Sequence, residues 1–114
     1  MALLAWNVQG LGNRDTVRAL KNVYLKYQYV IIFLSETNKK KRYLEKIRMK
    51  MKLSNSFYVE PEGIAWGLAL WWSDDANIST IYSNKNIIDT KISVNGEEEW
   101  FESFIYGPLY NEEK

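Results

Sequence analysis

The chain contains no cysteine and no histidine. Without cysteine, disulfides, cysteinyl zinc sites and thiol nucleophiles are excluded. Without histidine, the commonest general base and the commonest neutral metal ligand are gone as well. Chemistry is left to carboxylates, amides, hydroxyls and lysines. Long apolar runs are also missing. The longest, Tyr29 to Leu34, has the length of a strand, and no window approaches a membrane span. The opening run Met1 to Trp6 is too short for a signal-peptide core and has no basic leader, so an intracellular protein is expected. An excess of one charge is lacking too. Fifteen Lys and Arg stand against 14 Asp and Glu, a net +1, so bulk charge does not mark a nucleic-acid binder.

What is present is the composition of a soluble globular domain, or a piece of one: 114 residues, 46% hydrophobic and 25% charged. A chain of this size can bury about two-thirds of its unfolded surface, enough for a core. Five Trp, eight Tyr and four Phe supply bulky packing groups or stacking surfaces, with core packing the default. Charge is unevenly placed. Residues 38 to 52, NKKKRYLEKIRMKMK, hold eight basic residues and the single acid Glu45, whereas Glu97, Glu98, Glu99 and Glu102 gather near the far end. A basic helix can track phosphates, although such a run is more often a solvated face.

Ala2 to Trp6 reads as a short buried strand. Asn13 is placed to cap a helix over residues 14 to 27, with Val17, Leu20, Val23, Tyr24 and Tyr27 on one face. Tyr29 to Leu34 (YVIIFL) reads as a fully buried strand. A basic helix over 40 to 51 is expected to bury Tyr43, Leu44, Ile47 and Met51. Strand, helix, strand, helix is the pattern of a parallel βαβ unit. Thereafter Phe57 to Val59, a turn at Pro61-Glu62-Gly63, and Leu68 to Trp72 form a hairpin-like pair. Ile78 to Tyr82, Ile87 to Val94 and Trp100 to Tyr106 follow as short strands, and Asn95-Gly96 is a strong hairpin signal between the last two. Ile88, Thr90, Ile92 and Val94 alternate with polar residues, so that strand covers one face of a sheet.

In parallel βα units functional groups gather at the carboxyl ends of the strands. Asn7 ends the first strand, in AWNVQGLGN, and Glu36 ends the second, in SETN. If those strands are neighbours, an amide and a carboxylate converge on one rim, a pairing suited to a hard cation and a phosphate oxygen. By spacing alone the plainer reading is that Asn7 caps a turn and Glu36 opens a polar loop.

The ordered set WNVQGLGN, VIIFLSETN, the Lys-rich helix, FYVEPEG, GLALWW and FIYGPLY resembles the N-terminal half of the endonuclease/exonuclease/phosphatase (DNase I-like) superfamily. More narrowly, it is similar to plant LINE-type retrotransposon endonuclease domains. The resemblance runs in order through nearly the whole chain. It implies that Asn7 helps position the scissile phosphate, that Glu36 is the principal Mg²⁺ ligand, and that Tyr106, followed by Pro108, approaches the phosphate. A strand-end core aromatic is the other reading of Tyr106. Gly10 and Gly12 would let the loop beside Asn7 turn tightly against substrate. It further implies DNA as partner, reached through the basic helix from Lys39 to Lys52, and a nuclear location.

The departures from that pattern are specific. The family's second half carries an Asp-x-Asn pair and a Ser-Asp-His motif that handle the attacking water; this chain has no histidine and ends at Lys114. Ser73-Asp74-Asp75 follows GLALWW, where the family has a variable polar turn, and is not a substitute. Trp66-Gly67 stands where Gly-Gly is usual, and Leu109 where a polar residue is frequent. The expectation is therefore an α+β fold, the N-terminal half of a four-layer αββα sandwich, with the second sheet absent or only begun. Residues 1–114 would form a partial domain. It would be a truncated Mg²⁺-dependent phosphodiesterase, inactive or nearly so alone. A non-catalytic remnant that binds nucleic acid or protein is the alternative, and a decayed fragment without a role is a third. Half a sandwich would leave an apolar sheet face uncovered, so self-association is expected, the alternative being that the late strands from Ile78 to Tyr106 fold over that face as a partial second sheet.

Overall fold

The Asn13 side chain opens the first helix as its position suggests, accepting a hydrogen bond from the Asp15 backbone N–H at 2.7 Å. The helix ends where Gln28 turns into the left-handed region and donates its N–H to the Tyr24 carbonyl. The computed structural model describes residues 3–28, 30–60 and 67–106. Among these, the elements are β1 (Leu3–Asn7), α1 (Arg14–Tyr27), β2 (Ile31–Ser35), α2 (Lys41–Arg48), β3 (Asn55–Val59), β4 (Leu68–Trp72), β5 (Ala76–Asn84), β6 (Ile87–Val94) and β7 (Trp100–Ile105). The fold is α+β. The sequence expectations at Pro61-Glu62-Gly63, Trp66, Pro108 and Leu109 fall outside the described residues.

A four-stranded sheet has the order β1-β2-β4-β3. β1 and β2 are parallel neighbours, as a βαβ unit requires, and β4 runs antiparallel between β2 and β3. The two central strands are apolar on both faces, and the structure uses both. Ile32, Leu34, Ala69 and Trp71 pack with Leu20, Tyr24, Leu44 and Ile47 of the helices. Ile31, Phe33, Leu68 and Leu70 pack with Ile88, Ile92 and Phe104 of a second sheet, ordered β5-β6-β7. Each such side chain, fully buried, contributes about 1.5–3 kcal/mol.

That second sheet corrects the sequence reading. It is neither absent nor only begun: three antiparallel strands close over the first sheet, and the Phe33 and Phe104 rings meet at 5.3 Å across the seam. The cause is the alternation of β6, in which Ile88, Thr90, Ile92 and Val94 all turn inward. The face that was expected to drive self-association is therefore covered. Asn95 and Gly96 do take positive φ (55° and 74°), but the pairing does not follow a strict two-residue turn. Such a turn would set Ile92 opposite Glu99; the register sets it opposite Trp100. One residue of slip brings Trp100 and Phe104 inward instead of Glu99 and Ser103.

The helices are corrected in detail. α2 stops at Arg48, and a turn from Met49 to Lys52 carries Met51 into the core. Tyr43 is not core: its ring is at the surface, and its hydroxyl donates to the Leu11 carbonyl at 2.8 Å. Tyr27 is likewise exposed, because α1 buries only Leu20 and Tyr24 fully. A polar cluster ties α2 to the sheet. Arg48 forks onto the Glu45 carboxylate, the Tyr58 hydroxyl donates to Glu45 Oε2 at 2.5 Å, and the Trp71 indole donates to the Tyr58 hydroxyl at 2.9 Å.

Candidate functional site

Past Ser35 the β1–β2 ladder does not stop. Val8 N–H donates to the Ser35 carbonyl, Gly10 N–H to Glu36 and Leu11 N–H to Thr37, while Thr37 N–H reaches the Gly67 carbonyl. These bonds zip the loop after β1 to the loop after β2. They hold Glu36 at φ 55°, a left-handed conformation that costs a residue with a side chain about 1–2 kcal/mol. Gly10 sits at φ 93° in the facing loop, where a side chain would be strained whatever the space around it. A carboxylate held against its backbone preference on a strand rim is a feature of functional sites.

The side chains converge on one atom. Asn7 Nδ2 donates to Glu36 Oε2 at 2.9 Å, and the Tyr106 hydroxyl donates to the same oxygen at 2.7 Å. Asn7 is steadied by its own Oδ1, which accepts from the Gln9 N–H at 3.2 Å. Tyr106 arrives from the end of β7, in the other sheet, and is anchored by Asn86, which exchanges hydrogen bonds with its backbone. The three residues singled out from the sequence thus meet, although Tyr106 lies 70 positions from Glu36 in the chain; the crossing of the two sheets joins them. They border a cleft of about 480 Å³ whose apolar side is Trp6, Phe33 and Ile105.

Chemically this is a partial site. Glu36 Oε2 is committed to two donors, and Oε1 has no hydrogen-bond partner among the described residues. No group of three or more acidic residues that could hold a metal occurs among the described residues. One carboxylate beside one amide is not a closed cage for a cation. It suits an ion such as Mg²⁺ that keeps several waters and completes its shell from phosphate oxygens. Ser73-Asp74-Asp75 lies at the opposite rim, where β4 ends against the start of β2, and serves a turn: Asp75 N–H donates to Ser73 Oγ, and Asn55 Nδ2 to Asp74.

Sequence reasoning missed two features. Lys39 lies across Gly12, so near that a Cβ on Gly12 would meet its Cε at 3.0 Å, and its ammonium stands 4.9 Å from the Tyr43 ring centre. The basic surface is also not confined to the segment Lys39 to Lys52, because α1 contributes Arg14, Arg18 and Lys21 to it. Their spacing of four and three residues is a one-face helical pattern that was readable in the sequence. No protein-family model matches the chain, and no curated protein matches it significantly. The chemistry of these side chains carries the functional reading.

Proposed function

We propose that the chain is the cation- and phosphate-holding part of a magnesium-dependent phosphodiesterase site of the DNA-endonuclease kind, and that alone it binds without turnover. The observation that carries this reading is the convergence of Asn7 and Tyr106 on Glu36 Oε2. Glu36 would hold the cation through its carboxylate, with the Asn7 amide beside it. Magnesium there would supply Lewis-acid polarisation of a phosphodiester. The Tyr106 phenol, now donating to Glu36, is the donor that would turn to a phosphate oxygen. The left-handed backbone of Glu36 keeps its carboxylate presented to the cleft without a further conformational step. The chain has no histidine, and among the described residues lining the cleft Glu36 is the one carboxylate, so none stands beside it to take a proton from water.

Two measurements test this. Titration with Mn²⁺, followed by the loss of the free-ion electron paramagnetic resonance signal, should show weak binding that falls about tenfold or more in Glu36→Gln. Equal binding by the two proteins overturns the cation assignment. Supercoiled plasmid incubated with Mg²⁺ should remain uncut; nicking that disappears in Glu36→Ala overturns the claim of no turnover. A second reading, a module that binds nucleic acid without chemistry, is favoured by the density of cations on α2, where Glu45 is the one acid and is bound to Arg48.

A further inference from the structure

Between α1 and α2, on the side of the first sheet away from the second, runs a cleft of about 450 Å³. One wall carries Arg14, Arg18 and Lys21, the other Lys46 and Lys50, and Val17 and Ile47 form its apolar part. Arg14, Arg18 and Lys21 fall three to four apart along α1, and across from them stand Lys46 of α2 and Lys50 of the turn that follows it. Among the described residues no acidic side chain lines the cleft. Arg18 has an ion pair, with Asp15 at 3.7 Å and both groups largely in solvent; Arg14, Lys21, Lys46 and Lys50 make none among the described residues.

Such a surface has an electrostatic cost. Partial desolvation lowers the Lys21 pKa, and the Lys50 ammonium facing it lowers it further. An ordinary solvated helix face intersperses its signs and avoids this repulsion. An anion lying between the walls would relieve it. Arg14 and Lys21 lie seven residues apart, a rise of roughly 10 Å along α1, about three times the axial charge spacing of one strand of a duplex. Both helices begin at the rim that carries Glu36, since each follows a parallel strand, and Lys39 lies over Gly12 at that same end. The stripe is therefore linear, with its head near the rim loops.

We propose that the α1–α2 cleft is a binding groove for the phosphate backbone of a nucleic-acid strand, read without regard to base sequence. The groove is separate from Glu36 and stands whether or not that residue holds a cation. A compact polyphosphate would need its cations arranged around a point; here they form two facing rows. The contribution is the counterion release that accompanies phosphate neutralisation.

The test is fluorescence anisotropy of a labelled 20-nucleotide single strand, measured from low to moderate salt. The full chain should bind with a negative slope of log K against log salt. Lys21→Gln with Lys50→Gln removes two cations from facing walls. It should weaken binding about tenfold or more at low salt and reduce the slope by roughly 1.4, at about 0.7 per phosphate contact. Lys26→Gln with Lys85→Gln makes the same change in net charge away from the cleft, and should leave the slope within about 0.3 of the original. Thermal unfolding monitored by circular dichroism confirms that both double variants are folded. Chelation of divalent cations with EDTA should leave strand binding unchanged, which separates this groove from the cation site. Equal losses in the two double variants overturn the groove, as does loss of strand binding on chelation of divalent cations. So does a chain that binds inositol hexakisphosphate or phosphatidylserine vesicles but no oligonucleotide.

Discussion

Thr37 is the residue at which this fold is least satisfied. It follows Glu36, is fully buried, and its hydroxyl has no hydrogen-bond partner among the described residues. Its backbone is fully engaged, with the N–H on Gly67 and the carbonyl accepting from Leu11. A buried hydroxyl without a partner costs about 1–3 kcal/mol, whereas an apolar group of the same shape does not. Thr37→Val should therefore raise stability by about 1 kcal/mol in urea denaturation while the backbone zipper beside Glu36 persists. A loss of stability would mean that the hydroxyl has a partner after all. Asn7 and Glu36 could be singled out from sequence because each ends a strand of a βα unit. The unmet need at Thr37 could not, since it arises only when the loops after β1 and β2 close over it.

At the scale of elements, α2 is fastened to the sheet by charge as well as by Leu44 and Ile47. The Arg48 guanidinium on Glu45 holds its carboxyl well below the ordinary range, from 4.5 to about 2, against the opposing effect of burial. Burial and the Glu45 carboxylate push the Tyr58 phenol upward. A carboxyl whose pKa is depressed in the folded state adds stability above its unfolded pKa and loses it as pH falls toward the folded value. The window is thus pH 4.5 down to about 2. The whole shift corresponds to about 3 kcal/mol, and screening at a partly exposed pair reduces this to about 1–2 kcal/mol. Between pH 5 and 2, the chain should lose that much more stability than Glu45→Gln does; parallel pH profiles for the two proteins would remove the pair from the stability of α2.

For the whole molecule the decisive element is the second sheet. Phe104 is buried between the sheets against Phe33 and lies in the same cluster as Ile31, Leu70 and Ile88. Phe104→Ala should cost about 3–5 kcal/mol. It should also open the seam enough for a hydrophobic dye to bind, as the unaltered chain should not. Strong dye binding by the unaltered chain would show that β5, β6 and β7 do not hold closed over the first sheet. Exposed large apolar side chains among the described residues lie elsewhere and apart, Leu25, Met49, Ile81 and Phe101 among them.

Local order was legible in the residues themselves. Asn13 marked the start of α1, period-two alternation marked β6, and the doubly apolar runs of β2 and β4 announced strands buried on both sides. These depend on neighbours a few positions apart, and short-range sterics and hydrogen bonding suffice to decide them. What covers the second face of β2 and β4 was a different question, because it turns on contacts between segments far apart in the chain, such as Phe33 with Phe104, whose closure depends on total burial. The same holds for the one-residue slip that turns Trp100 inward, for the surface position of Tyr43, and for the pairing of α1 and α2 into one basic cleft. Asn7, Glu36 and Tyr106 were each visible as strand ends. That two of them donate to a single oxygen of the third was settled only when β7 folded across the first sheet and brought its end to the rim.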